Sequence, residues 1–231
     1  GPTSRAASLV LQGWTIDGFD QDDRALAEVS TIDGFQCLYT GGPETLPSGY
    51  DLIVLMHALE HIPDAARVLE LLAGKLNPGG HILCQVPNRE VNPYDLLVAD
   101  HLIHFDFASL MKLGERTGFL VEVRQDWIVK ELSLVLSPSG STGHAPPRRS
   151  TIAAARQVDW LRQVVETCER AATHRPFCIF GTSIVATWLA SELSAAPDLY
   201  LDEDPARIGH RLNGVPIAGL NFVKTPAYSI G

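Results

Sequence analysis

Apolar residues in the first half of the chain come in short β-branched runs, separated by stretches in which they recur every three or four positions. This alternation predicts a parallel sheet covered by helices. SRAASLVLQ (residues 4–12) has a helical pattern, TIDGFD (15–20) reads as a strand ending in an acid, DRALAEVST as a short helix and FQCLYT (35–40) as the next strand. After a Gly-Gly-Pro turn, YDLIVLMHA (50–58) is nearly all apolar, which suits a strand buried on both faces. In residues 63–80 apolar side chains recur at Ala66, Leu69, Leu72, Ala73 and Leu76, predicting an amphipathic helix with Pro63 in its first turn and a Pro-Gly-Gly stop. HILCQVP (81–87) is the following strand and SLMKLGERTGF (109–119) a helix. LVEVRQDWI and KELSLVLSP predict an antiparallel pair that closes the sheet edge.

The Ser-, Gly- and Pro-rich segment 138–150 is nearly devoid of apolar residues and reads as a linker. Beyond it, 151–172 predicts one long helix with a stripe at Ile152, Ala155, Val158, Leu161, Val164 and Val165. FCIFGTS, IVATWLASELS and DLYLDEDP then give a strand, a helix and a strand. The expected architecture is α/β: a doubly wound sheet in 1–137, a linker at 138–150, and a long helix with a second small α/β domain in 151–231.

A formal charge of −9 argues against a phosphate-binding surface, so no nucleic-acid partner is expected. Arg148-Arg149, the one basic cluster, falls in the linker. No apolar run approaches the ~20 residues that span a bilayer, and no leader pattern is visible, so the expected location is cytoplasmic. Gly1-Pro2 has the look of a tag-cleavage scar. Cys37, Cys84, Cys168 and Cys178 are widely spaced, read as reduced thiols in mostly buried settings, and give no expectation of a metal.

In doubly wound sheets ligands sit at the carboxyl ends of strands, so the residues just after each strand carry the information. Asp20 closes the second predicted element and can accept both hydroxyls of a ribose, leaving Asp22 and Asp23 to cap the helix; the alternative is that all of these acids only cap. The run YDLIVLMHALEHIPD resembles a strand and turn of class I, S-adenosylmethionine-dependent methyltransferases, with Leu59, Glu60, His61 and Ile62 as the family's Leu-Glu-His-Ile. LNPGGHILCQVPN resembles the family's Leu-Lys-Pro-Gly-Gly turn and next strand, and DHLIHFDFASLMKLGERTGF its last His-to-Phe segment. The resemblance implies S-adenosylmethionine as cofactor, with Gly1, Asp20, Gln21, Met56, His57 and Leu59 around it and Glu60, His61 and Asn88 facing the acceptor. It also implies that the segment bearing His101 and His104, with Asp100 nearby, covers the acceptor pocket, where a neutral imidazole can take a proton. Packing or capping by the same two histidines is the alternative.

The family's opening strand and Gly-x-Gly-x-Gly loop do not precede Gly1, and the expectation is a fragment or trimmed chain. FCIFGTS with DLYLDEDPARIGHRLNGVPIAG resembles the small Rossmann-like domain that ends sugar C-methyltransferases, which implies Gly181 as an acceptor contact. The expected function is therefore methyl transfer to a sugar nucleotide or surface-glycan precursor, by a homodimer or as part of a larger multidomain protein. Two other classes stay open: a non-catalytic scaffold, and a dinucleotide-dependent oxidoreductase, against which the lone Gly181 counts.

Overall fold

The computed structural model describes residues 13–124, 128–138 and 151–221. The predicted helix at 4–12, Gly1 and the linker at 139–150 lie outside the described residues. Strands β1 (Ile16–Asp20), β2 (Phe35–Thr40), β3 (Tyr50–Met56), β4 (Leu76–Pro87), β5 (Phe119–Arg124) and β6 (Glu131–Pro138) alternate with helices α1 (Leu26–Val29), α2 (Ala65–Ala73) and α3 (Phe107–Arg116). Helix α2 is capped by the Asp64 carboxylate accepting from Arg67 N–H, so Pro63 precedes the cap, and LNPGG begins β4 instead of ending the helix.

The larger sheet runs β3-β4-β6-β5, with β3 and β4 parallel and β6 antiparallel to both its neighbours. The predicted antiparallel pair closes this edge of the sheet, with β6 inside and β5 outermost. Their composition explains the order, because Leu132, Leu134 and Leu136 of β6 are at most 1% exposed, whereas β5 carries the exposed Glu122, a charge that blunts an edge. Ile82, Cys84 and Val86 of β4 share the face of those leucines and pack with Leu69 and Leu72 of α2 and Leu110 of α3 in one core. Burial pushes the Cys84 thiol up, keeping it neutral.

β3 departs from the expected double burial: none of its residues is fully buried and Val54 keeps 39% exposure. Only β4 pairs with it among the described residues; β1 and β2 form a separate parallel sheet. Tyr50 Oη bridges the seam by donating to Asp17 Oδ2 at 2.9 Å, and a cleft of about 430 Å³ opens there between Thr15, Asp17, Tyr50 and Leu52.

After helix α4 (Thr151–Ala172), strands β7 (Cys178–Phe180), β8 (Leu199–Leu201), β9 (Arg211–Leu212) and β10 (Val215–Ala218) form a sheet in the order β7-β8-β10-β9, with α5 (Ile184–Glu192) joining β7 to β8. Asn213 and Gly214, both at positive φ, make the β9-β10 turn. Ile179, Ala186, Leu193, Tyr200 and Ile217 build its own core. The buried face of α4 is rotated from the predicted stripe: Gln157, Leu161 and Ala172 are buried while Val158 is 47% exposed. The helix packs on two neighbours, the loop around Tyr94 and the second core, and no single periodic stripe serves both. The thiol expectation also needs correction, since Cys37 is exposed and only Cys84 is fully buried.

Gly114 in α3 has no room for a side chain: a Cβ would stand 2.1 Å from Val121 Cγ2 and 3.2 Å from Leu136 Cδ2. Alanine improves helix propensity by roughly 1 kcal/mol, but the stiff β-branched Val121 cannot swing aside, so Gly114→Ala is expected to lose about 1–2 kcal/mol net in urea unfolding. An unchanged midpoint would contradict this packing.

Candidate active site

The parallel register of β3 and β4 sets Met56 opposite Gln85, and His57 N–H donates to the Gln85 carbonyl at 2.9 Å, so both strands end at one level. The turn after β3 and the long loop after β4, residues 88–106, therefore meet. His57 sits at φ 51°, a left-handed conformation that costs a non-glycine residue roughly 1–2 kcal/mol. The turn it starts carries Leu59, Glu60 and His61. Leu59 is fully buried in the core, so its side chain packs against apolar neighbours. Glu60 is fully buried beside it.

The loop contributes Asp95, 2% exposed, whose two oxygens hold two rings: His101 Nδ1 on Oδ1 and His104 Nδ1 on Oδ2, each at 2.7 Å. His61 Nδ1 bonds the Asp100 carbonyl at 3.0 Å, and its ring meets that of His101 edge-on at 4.8 Å. His57 Nε2 bonds Glu131 Oε1 at 3.0 Å while its Nδ1 stands 3.4 Å from Glu60 Oε1. The Glu60 carboxylate, followed by Glu131, raises the His57 imidazole above its ordinary value against the opposing effect of burial. Among the described residues, two triads have ligand atoms close enough to hold a cation: Glu60, His61 and His101, and Asp95, His101 and His104.

Arg89 and Asp106 tie the two ends of this loop together, with Arg89 Nε donating to Asp106 Oδ2 at 2.9 Å. Asp106 also caps α3 in a reciprocal box with Ser109, so the histidines neither cap nor start that helix. Asn88 is buried, and its Oδ1 accepts Glu90 N–H within the turn after β4.

At the end of β1, Asp20 is exposed; its Oδ1 accepts Gln21 N–H at 2.6 Å, and its other oxygen stays open to a ligand. Asp22 and Asp23 do not cap α1, whose N-cap is Ala25; Asp22 instead pairs with Arg24. Exposed Phe19 precedes Asp20 in β1, and half-buried Met56 ends β3. Gly181 lies in the second sheet, where its N–H donates to the Leu201 carbonyl at 2.7 Å, and the structure does not bring it to the histidines.

Sequence reasoning missed Asp95, having paired the histidines with Asp100; NPYDLL gave no periodic signal to mark a buried acid. It also missed a cleft of about 760 Å³ between the 88–106 loop and α4, lined by Glu90, Tyr94, Lys130, Arg156, Gln157 and Trp160. This cleft adjoins the histidine cluster through the chain, since Tyr94 precedes Asp95 and Lys130 precedes Glu131.

Residues 4–123 match the family described as "Methyltransferase domain". A ubiquinone biosynthesis O-methyltransferase of Aliivibrio fischeri (strain MJ11) is 30% identical over 180 residues, covering 70% of this chain and 71% of that protein. The one from Aeromonas salmonicida (strain A449) is 32% identical over 89 residues, 32% of this chain and 37% of its own length. Matches to two further relatives of this name cover 41% and 34% of those proteins, so the chain spans well under half of several relatives that it matches. Among solved structures, LepI in complex with SAM aligns at 14% identity and a TM-score of 0.48, covering 59% of this chain and 41% of that one. No described helix is long and apolar enough to cross a membrane.

The Asp106 clamp generates a pH dependence. Burial alone would raise its carboxyl, but Ser109 and the Arg89 guanidinium outweigh that and hold it below the ordinary value. A depressed carboxyl stabilises the fold above the unfolded value of about 3.9 and loses that contribution as pH falls through the folded value. Asp106→Asn keeps a cap but not the titration, so its acid-unfolding curve should be flatter than the parent's below about pH 4. Parallel curves would show that the clamp contributes nothing.

Proposed function

The chain belongs to the methyltransferase-domain family, and from that premise we propose that it transfers a methyl group from S-adenosylmethionine to a hydroxyl on a small, ring-bearing acceptor. The observation that carries the reading is the clustering at the carboxyl ends of β3 and β4, where His101 and His104 share Asp95 and His57 and His101 flank Glu60, beside an open aromatic cleft. Asp20 is the ribose ligand, and Phe19 and Met56 flank the cofactor. When bound, the cofactor supplies an electrophilic methyl on a sulfonium, and the protein's work is to position and desolvate the partners.

Asp95 acts as a positioning residue: by taking Nδ1 of both rings it leaves Nε2 of each as the basic nitrogen. His104 keeps 30% side-chain exposure, and among the described residues nothing bonds its Nε2, so it is the better placed of the two to accept the proton of an acceptor hydroxyl. Tyr94 and Trp160 meet edge-to-face at 5.3 Å and offer ring faces, while Lys130 and Arg156 favour an acceptor that carries an acidic group.

A hydroxylated aromatic ring is preferred to the sugar nucleotide. The relatives' names point to ubiquinone biosynthesis, and the Asp202 carboxylate of the second sheet is already engaged by Thr182 at 2.5 Å and by Asp204 N–H. The non-catalytic module is the competing class. Calorimetry of S-adenosylhomocysteine with the full-length protein decides between them: Asp20→Ala should weaken binding at least ~10-fold, worth about 1.4 kcal/mol. His104→Ala should leave that binding intact and lower kcat by roughly 10²–10⁴. Absence of binding to the parent protein would overturn the methyl-transfer reading in favour of the scaffold.

A further inference from the structure

We propose that Glu60, His61 and His101 form a binding site for a divalent transition-metal cation of the zinc type. The primary observation is Glu60. Its side chain is 0% exposed, and neither carboxylate oxygen has a hydrogen-bond partner. The nearest ring nitrogens are His57 Nδ1 at 3.4 Å and His101 Nε2 at 4.0 Å. A buried carboxyl left without hydrogen bonds is destabilising, and more so when it is charged. Such a group in an ordered core calls for a partner, and a cation bound beside it is the kind of partner that this surrounding can hold.

The second observation is the state of the two imidazoles. His61 gives its Nδ1 to the Asp100 carbonyl at 3.0 Å and His101 gives its Nδ1 to Asp95 Oδ1 at 2.7 Å. Each ring is thereby oriented with Nε2 left to ligate, which is the backbone- or carboxylate-to-histidine support that metal-bound imidazoles almost always have. The ligand atoms of Glu60, His61 and His101 lie within 4.8 Å of one another. At metal–ligand bonds of about 2.0–2.1 Å, tetrahedral ligands stand roughly 3.3 Å apart, so modest side-chain rotations close the site. Two histidines and one carboxylate suit zinc and leave a position open. The other triad is a poorer host, because both Asp95 oxygens are already engaged by histidines and a cation there would displace them.

The metal expectation drawn from cysteine spacing looked for thiolates and passed over this cluster, whose ligands come from two separated segments. Metal binding stands independently of the methyl-transfer reading; only its role rests on that reading. In that role the cation would take the acceptor hydroxyl in its open position and lower its pKa, with His104 left to accept the proton.

Titration of zinc chloride into the chelator-treated full-length protein tests the site without any methyl donor, so its failure and that of the methyl-transfer reading are separable. The expected result is one equivalent bound per chain, weakened at least ~10-fold in Glu60→Gln and in His61→Ala, and unchanged in His174→Ala. Cobalt substitution should give visible absorption bands that Glu60→Gln alters. Circular dichroism establishes that each variant is folded. Absence of stoichiometric binding by the folded parent, or equal binding by the parent and by folded Glu60→Gln and His61→Ala, would overturn the proposal.

Discussion

The parallel pairing of β3 with β4 is the constraint on which the rest of the site depends. Because Met56 lies opposite Gln85 and His57 N–H closes on the Gln85 carbonyl, both chains leave the sheet at the same level and on the same side. The histidine and acid cluster follows these two exits: His57, Glu60 and His61 the first, Asp95, His101 and His104 the second. A shift of one residue in this register would turn the core face of β4 outward and separate the two groups. Leu132, Leu134 and Leu136 of β6 oppose that shift by locking Ile82, Cys84 and Val86 onto the helical face.

Around those exits the polar groups divide into satisfied and unsatisfied. Asp95 is saturated by two imidazoles, Asp106 by Arg89 and the start of α3, and Asn88 by its own turn. These fix the loop. Glu60 and, on the far wall of the aromatic cleft, Gln157 are buried with no hydrogen-bond partner. In a folded domain such groups are few, and here both lie where a ligand is expected. The strained backbone at His57 belongs to the same turn, a pattern common where structure is held for a function beyond stability.

Much of this was legible in the sequence. FQCLYT and the long helix were read with their observed bounds, since strong periodicity and flanking turn residues mark them. The order of β5 and β6 was not, because a hairpin's sequence does not say which of its strands pairs with the sheet. The exposure of β3 was missed for a related reason: an all-apolar run says that a strand can be buried, while its actual burial depends on what pairs with its second edge. Asp20, Met56, His57, Glu60, His61, His101 and His104 were candidates because each follows a recognisable strand or motif, and the structure places the last five in one cluster. Asp95 could not, because it sits in an irregular turn and gains its role only when the loop folds back. Gly181 was a candidate through the resemblance of its segment to a small Rossmann-like domain, and it lies in the second sheet.

The central claim is that the carboxyl ends of β1, β3 and β4 form one site for a methyl donor. The most direct measurement is a crystal structure of the full-length protein with S-adenosylhomocysteine. The account predicts the ribose hydroxyls on the Asp20 carboxylate and the sulfur facing the space between Met56, Glu60 and His101. Ligand density remote from Asp20, with the β3 and β4 ends left to solvent, would contradict it.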